Sequence, residues 1–284
     1  MSLQDLHERV LYPVVRVRAT ENGGGSGTII YCKQDPKNLN DYITLVLTNH
    51  HVIEKAISYK EDWDSILKKQ MKKEFVAPVN VEIFDYENMS DVVSANNHRA
   101  VIVAYDKHHD LALLRLERSS KVPYVAKLIG ESDIKAIKLF MPTLLCGASL
   151  LHDPFVTTGH ITYLKELIEN KIYLMSTSAS IFGNSGGALY LAETTEFIGV
   201  PSRIQTLQLG FGLDVVNFMG FSVHPQRLYE FFREQELHFV FDDKDDFYRS
   251  LERRKAKQRK AIMMQDHENI TTPLPDVNNP LYEG

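Results

Sequence analysis

The stretch SASIFGNSGGALYL, residues 178–191, places one serine, Ser185, among three glycines and follows them with an apolar run. Glycine tolerates positive φ and lets another backbone approach closely, so clustered glycines indicate a forced turn or a site of close contact. One interpretation is an ordinary hairpin turn that enters the strand ALYLAE. The other is a loop that presents the Ser185 hydroxyl for chemistry. The rest of the sequence has to decide between them.

The composition is that of an ordinary globular protein. The chain has 284 residues, 44% of them hydrophobic and 24% charged, and a net charge of -5, so we expect no nucleic-acid partner. No apolar run approaches the ~20 residues that span a bilayer, and the N-terminus lacks a secretory signal pattern. Cys32 and Cys146 are too few for a disulfide framework. We therefore expect a cytoplasmic protein without membrane association, in the host cytoplasm if it is virus-encoded.

Short β-rich runs between turn signals dominate the chain and predict an all-β fold. They form two sets of about six strands, divided near residues 122–133, which indicates a sandwich or barrels and not a parallel α/β sheet. The expected first domain spans residues 1–240, with an N-terminal half at about 10–120 and a C-terminal half at about 125–235.

Three segments interrupt the strand pattern. Residues 54–98 look like an insertion, and apolar residues at helical spacing predict an amphipathic helix between Glu54 and Phe75. Pro225 to Glu236 predicts a C-terminal helix with proline in its first turn. Residues 241–284 run acidic, basic, acidic with few apolar residues, which predicts a charged, flexible tail and a possible docking arm for a partner. The apolar residues of the first predicted helix are Trp63, Ile66, Leu67, Met71 and Phe75.

Candidate partners for the Ser185 hydroxyl lie earlier in the chain. A serine becomes a good nucleophile when a base takes its proton, and that base needs a group to hold its tautomer. The run LVLTNHHVIE contains the pair His50 and His51, and DLALLRLE begins with Asp110. The order His, Asp, Ser is that of the chymotrypsin-type triad.

Six motifs in one order make the sequence resemble the trypsin-like serine proteases, especially the HtrA-type bacterial branch. The resemblance covers roughly residues 10–235, but only about 45 residues follow, so no PDZ domain is expected. The motifs are GSGTII, TNHHVI, DLALLRL, FVTTGHIT, GNSGGALY and GFSVHPQRL.

The resemblance implies a chymotrypsin-like fold, in which each half of the protease-like domain is an antiparallel six-stranded β-barrel. It also implies a serine endopeptidase that needs no cofactor. In the family motif the catalytic histidine precedes the hydrophobic pair, which selects His51 over His50. Ser185 would be the nucleophile, Asp110 would orient His51, and the N–H groups of Gly183 and Ser185 would form the oxyanion hole.

The resemblance also places a pocket for the side chain that precedes the scissile bond. The runs STSASIF and GFSV contain no acid, so an apolar or small P1 residue of a protein or peptide substrate is favoured. The expected substrate-binding residues are Thr177, Ala179, Phe182, Gly220, Phe221 and Ser222.

Three alternatives remain open at this stage. The histidine pairs His50–His51 and His108–His109 could bind a metal, although no Cys or Glu cluster completes such a site and we expect none. The chain could be a catalytically inactive protease fold used as a scaffold, although all three triad residues are present. It could also be an assembly protein that cleaves the partner its tail docks. We favour a processing protease.

Overall fold

Strands make up most of the first half of the chain, and several of them contain continuous buried runs. The computed structural model describes residues 1–20, 23–64, 69–209 and 212–271. The first eight strands are β1 (Val14–Thr20), β2 (Gly23–Asp35), β3 (Asn38–Thr48), β4 (Ile57–Asp64), β5 (Lys69–Val76), β6 (Val79–Glu87), β7 (Asp91–Asp106) and β8 (Leu111–Leu116). Six of them close into an antiparallel barrel in the order β1-β2-β3-β8-β7-β6.

Side-chain alternation along β1 shows how this barrel is filled. Val15 and Val17 are fully buried in the core, where they join Ile29, Val46 and Leu114. Because successive side chains of a strand point to opposite faces, the arginines between and after these valines lie on the other face of β1. The register pairs β1 with β2 and with β6 on its two sides.

The second half of the chain repeats the architecture with its own core. Its strands close in the order β10-β11-β14-β13-β12-β9, so the predicted pair of six-stranded antiparallel barrels is confirmed. Leu145, Leu174, Leu189 and Ile198 are among the buried residues that fill it. The strands are β9 (Pro142–Gly147), β10 (Phe155–Ile168), β11 (Lys171–Ser176), β12 (Ala188–Leu191), β13 (Phe197–Leu209) and β14 (Gly212–Val223).

Helices are short apart from the last two. The α-helices are α1 (Leu3–Leu6), α2 (His50–Ile53), α3 (Pro225–Glu234) and α4 (Phe247–Thr271). A π-helical turn covers His7–Leu11, and 3-10 turns cover Glu54–Ala56, Glu131–Ala136, Ser149–Leu151 and His238–Val240. The predicted helix at Pro225 is confirmed as α3. In the described part of the chain, no helix combines the length and apolar character needed to cross a membrane.

The predicted amphipathic helix between Glu54 and Phe75 is wrong over the described residues. β4 and β5 pair there as a separate two-stranded sheet, and residues 65–68 lie outside the described part. The backbone N–H of Ala77 donates to the carbonyl of Ala56 at 2.8 Å, which closes the base of this hairpin. Both strands have β-formers at that base, such as Ile57 and Val76. Cross-strand pairing therefore outweighs the helical spacing of the apolar residues.

Two compact units divide the chain, residues 1–231 with both barrels and a second unit from Phe232 onward. The tail that the sequence predicts as flexible is a helix, α4, through Thr271, and residues 272–284 lie outside the described part. The Asp246 carboxylate accepts hydrogen bonds from the N–H groups of Tyr248 and Arg249 and so caps α4. Arg253 pairs with Asp245 at 2.5 Å. Capping and ion pairing therefore order this segment with little apolar burial.

We expect the stability of the first barrel to depend on its core and only slightly on the β4–β5 hairpin. Leu114 is fully buried in this core, so Leu114→Ala should lower the free energy of unfolding by about 2–5 kcal/mol. Replacing residues 58–75 by a short Gly–Ser loop should change the free energy of unfolding much less. The hairpin is a separate two-stranded sheet, and its first and last residues, Ile57 and Val76, are paired, so a short loop can join them. Urea unfolding measures both. An equal loss of stability in the two variants would contradict this division.

Candidate active site

His51 and Asp110 are in direct contact at one end of the first barrel. β3 ends at Thr48 and the chain turns into α2, which carries His51, while Asp110 immediately precedes β8. The Nδ1 atom of His51 lies 2.8 Å from Oδ2 of Asp110, and the His51 backbone N–H donates to Oδ1 at 2.9 Å. The side-chain amide of Asn49 donates to the Asp110 carbonyl at 2.7 Å. These contacts fix the two loops to each other.

The carboxylate of Asp110 is largely buried, and donors from both barrels bind it. The hydroxyl of Ser202, in β13, donates to Oδ2 at 2.6 Å. Burial acts to raise the pKa of the Asp110 carboxyl, but the hydrogen bonds from His51 and Ser202 outweigh it, and the pKa lies below its usual range. An ionised carboxylate can only accept, so Nδ1 of His51 carries the proton and Nε2 is left as the basic nitrogen of the neutral ring.

The Ser185 loop has a backbone that requires glycine at two positions. Gly183 has φ +96° and Gly186 has φ +84°, both in the left-handed region. A Cβ at Gly186 would lie 2.1 Å from the Ser26 carbonyl oxygen, and one at Gly183 would lie 2.8 Å from the backbone N of Leu150. Space and conformation together therefore explain the glycines around Ser185.

The first barrel holds this loop beside the His51 region. The backbone N–H of Ser26 donates to the carbonyl of Ser185 at 2.8 Å, and its hydroxyl donates to the carbonyl of Gly183 at 2.7 Å. Gly25 lies between α2 and the Ser185 loop. A Cβ at this position would lie 2.8 Å from the side chain of Val52 and 2.9 Å from the Ser185 carbonyl oxygen. Ser185 and His51 therefore flank the same part of β2.

The six expected substrate-binding residues fall into two groups. Thr177, Ala179 and Phe182 follow β11, and the side chain of Phe182 is 59% exposed next to Gly183. Gly220 faces this segment, because a Cβ there would lie 3.0 Å from Cβ of Ser180. Phe221 and Ser222, in contrast, are buried within the pairing of β14 with β11 and β13.

His50 and His109 have structural partners. The His50 ring packs against Tyr105 with centroids 5.2 Å apart, and burial lowers the pKa of His50. Nδ1 of His109 lies 2.8 Å from Oδ2 of Asp106, which also binds Arg227 at 2.7 Å. Over residues 1–20, 23–64, 69–209 and 212–271, no three His, Cys, Asp or Glu side chains form a group that could hold a metal ion.

Sequence analysis missed Ser202 and Asn49. Asn49 lies inside the TNHHVI motif, but the role of its side chain depends on the carbonyl of a residue 61 positions away. Ser202 lies in the run GVPSRIQ, which has no glycine cluster or repeat to mark it. Only the pairing of β13 with its neighbours brings this hydroxyl to Asp110.

Comparisons with known proteins agree with this geometry. The model of a family described as a trypsin-like peptidase domain matches residues 25–200, a span that contains His51, Asp110 and Ser185. The match covers more than half of the chain, so the chain belongs to the trypsin-like peptidase family, whose members are serine proteases. A search of curated proteins found no match.

A solved structure shows the same fold. The serine endoprotease from Yersinia pestis matches with a TM-score of 0.52 and 19% identity, over 81% of this chain and 65% of that chain. At this identity the likeness concerns the fold, and the chain spans about two thirds of that protein. The predicted membership of the trypsin-like proteases is confirmed, and the fold is that of a bacterial serine endoprotease, as the resemblance implied.

We expect Ser202→Ala to lower the free energy of unfolding mainly at pH values where Asp110 is ionised. A carboxyl with a lowered pKa in the folded state stabilises the fold above its unfolded pKa of about 3.9, and this stabilisation is lost as the pH falls through the folded value. Removing the Ser202 donor raises the folded pKa and shrinks that contribution. The loss should be about 1 kcal/mol at pH 7 and smaller near pH 3, as measured by urea unfolding.

A matched variant controls for loss of a hydroxyl. Ser132 donates to Asp133 at 3.2 Å, but both residues are exposed, so Ser132→Ala should change stability little at either pH. Equal destabilisation by Ser202→Ala at pH 7 and pH 3 would show that its hydroxyl does not act through the Asp110 carboxylate.

Proposed function

We propose that this chain is a serine endopeptidase that cleaves peptide bonds through an acyl-enzyme. The Ser185 hydroxyl attacks the scissile carbonyl carbon while Nε2 of His51 takes its proton. His51 then returns that proton to the leaving amine, and a water molecule, deprotonated by His51, hydrolyses the ester on Ser185. No step requires a cofactor.

The observation that carries this proposal is the held orientation of His51. Two hydrogen bonds join it to Asp110, at 2.9 Å and 2.8 Å, and Ser202 supplies a further donor to the same carboxylate at 2.6 Å. A buried carboxylate in this position favours the tautomer with Nε2 unprotonated and stabilises the imidazolium that forms when His51 accepts a proton. The His51 side chain is also 44% exposed, so a substrate can reach it.

The glycine loop supports a second element, the oxyanion hole. The left-handed conformation at Gly183 turns the chain immediately before Ser185, and the hydrogen bond from Ser26 fixes the carbonyl of Gly183 toward β2. We assign the N–H groups of Gly183 and Ser185 to stabilise the charge that develops on the scissile carbonyl oxygen. Removing one such donor typically lowers the rate by ~10²–10³.

The segment beside Gly220 supports a preference for a small or apolar P1 side chain. Thr177, Ala179 and Ser180 carry no charge, and the backbone N–H of Ser180 donates to the carbonyl of Asn217 at 3.0 Å. A lysine or arginine would meet no acid in the runs STSASIF and GFSV beside this pocket. Phe182 adds an exposed aromatic surface at its edge. Processing of specific proteins, docking through the charged C-terminal segment and a cytoplasmic location stay predictions from the sequence.

Labelling with a fluorophosphonate probe tests the proposal. Ser185 should lose its proton to His51 and displace fluoride from phosphorus, which leaves a covalent adduct on Oγ. Ser185→Ala should abolish both labelling and peptide cleavage without unfolding the chain. Asp110→Asn should lower peptide turnover by roughly 10⁴, because it favours the wrong imidazole tautomer.

The chain contains a useful control for this experiment. Ser90 lies 2.8 Å from Nε2 of His7, whose Nδ1 meets the carbonyl of Leu3 instead of a carboxylate. Ser90→Ala should therefore leave labelling unchanged. A folded wild-type chain that takes up no probe and cleaves no peptide would instead support the inactive scaffold.

A further inference from the structure

A cavity of about 200 Å³ lies beside the Ser185 loop, on the side of β1 and β2. Its walls come from Arg16 and Arg18, the glycines 23–25, and the loop residues Phe182 and Gly183. A Cβ at Gly24 would lie 2.1 Å from the carbonyl oxygen of Val17, so side chains are excluded from this wall. Among the described residues that line the cavity, two are arginines and none is acidic.

The two arginines of this cavity both pair with the same carboxylate. Arg16 and Arg18 share one largely buried carboxylate, Glu82, with Nη1 of Arg16 at 2.5 Å and Nε of Arg18 at 2.8 Å. Asp153 lies 3.5 Å from Arg16 but is 57% exposed, so water screens its charge. Arg16 is buried, whereas 30% of the Arg18 side chain is exposed. Arg18 is therefore the cation that an incoming group can reach.

The position of the cavity relative to the scissile bond follows from the proposed mechanism. The carbonyl carbon of the scissile bond would lie at Ser185, with its oxygen toward the N–H of Gly183. The P1 pocket lies on the side of Ser180 and Gly220. The leaving amine must lie near His51, which protonates it, and Gly25 packs against Val52, the neighbour of His51. The residues after the scissile bond therefore run over Gly25 toward the arginines.

We propose that this cavity receives the leaving-group side of the substrate and selects an acidic side chain there, with Arg18 as the specificity-determining residue. The inference rests on the proposed function. A carboxylate in the cavity would form charge-assisted hydrogen bonds with the guanidinium of Arg18, for which a planar, forked donor is well suited. Phe182 offers apolar contact to the stem of a glutamate. A lysine in the same position would meet two arginines and, among the described lining residues, no acid.

Cleavage of a proteome-derived peptide library, with the cut sites read by mass spectrometry, tests this selectivity. Aspartate and glutamate should be enriched within the first three positions after the cut. Matched peptides with glutamate, glutamine or lysine at the enriched position should differ in kcat/KM, with glutamate about 10-fold above glutamine. The advantage should fall as salt is added. The same cut-site profile for acidic and neutral residues would overturn the proposal.

Variants at Arg18 separate this role from a structural one. Arg18→Gln should remove the preference for glutamate over glutamine, and Arg18→Glu should reverse the preference toward lysine. Arg99→Gln is the matched control, because Arg99 also lies on a barrel strand and pairs with a carboxylate, Glu117, at 3.4 Å. Unchanged preference in Arg18→Glu, or the same loss in Arg99→Gln, would contradict the assignment.

Failure of catalysis can be told apart from failure of this inference. If the wild-type chain cleaves no peptide, the proposed function fails, and the same three peptides can be measured for equilibrium binding by fluorescence anisotropy. Several-fold tighter binding of the glutamate peptide, lost in Arg18→Gln, would still support an acid-selective cavity. Equal binding of the three peptides would overturn it.

Discussion

Ser26 is the residue on which the arrangement of the site depends. It is fully buried, and each of its polar groups has a partner. Its N–H donates to the carbonyl of Ser185 and its hydroxyl to that of Gly183, while the same hydroxyl accepts from the N–H of Ala148 at 2.8 Å. Its own carbonyl accepts from Thr48 at 2.7 Å. One residue of the first barrel thus fixes both the Ser185 loop and the end of β3, from which α2 and His51 follow.

A second connection between the barrels lies at Asp110. This residue belongs to the first barrel, but the hydroxyl of Ser202 that donates to it comes from β13 of the second. Each such hydrogen bond contributes only about 1 kcal/mol, or up to about 3 kcal/mol when the acceptor is charged. These hydrogen bonds matter for geometry. Buried polar groups must keep their partners, so the bonds fix the position of one barrel relative to the other. The site is built where these two connections meet.

The sequence predicts the barrels and the candidate triad because both depend on local patterns. Alternating apolar residues specify strands. The glycines around Ser185 indicate a turn with left-handed backbone conformations. The helix predicted after His51 is wrong because the spacing of the apolar residues fits a helix, whereas the segment forms a hairpin. The pairing of β4 with β5 depends on contacts between residues that are distant in sequence. The role of Ser202 and the order of α4 likewise depend on contacts between residues that have no shared motif.

The alternation of side chains along β1 also places two arginines near the site. Along β1, Val15 and Val17 enter the core, and Arg16 and Arg18 consequently lie on the opposite face, where they meet Glu82. A shift of β1 by one residue would bury the arginines in an apolar core, at a large cost in free energy, so folding itself fixes their position. The family fold specifies where a substrate chain would pass, but it does not specify these two side chains. Chemical selectivity can therefore change at Arg18 without disturbing the valines that hold the barrel together.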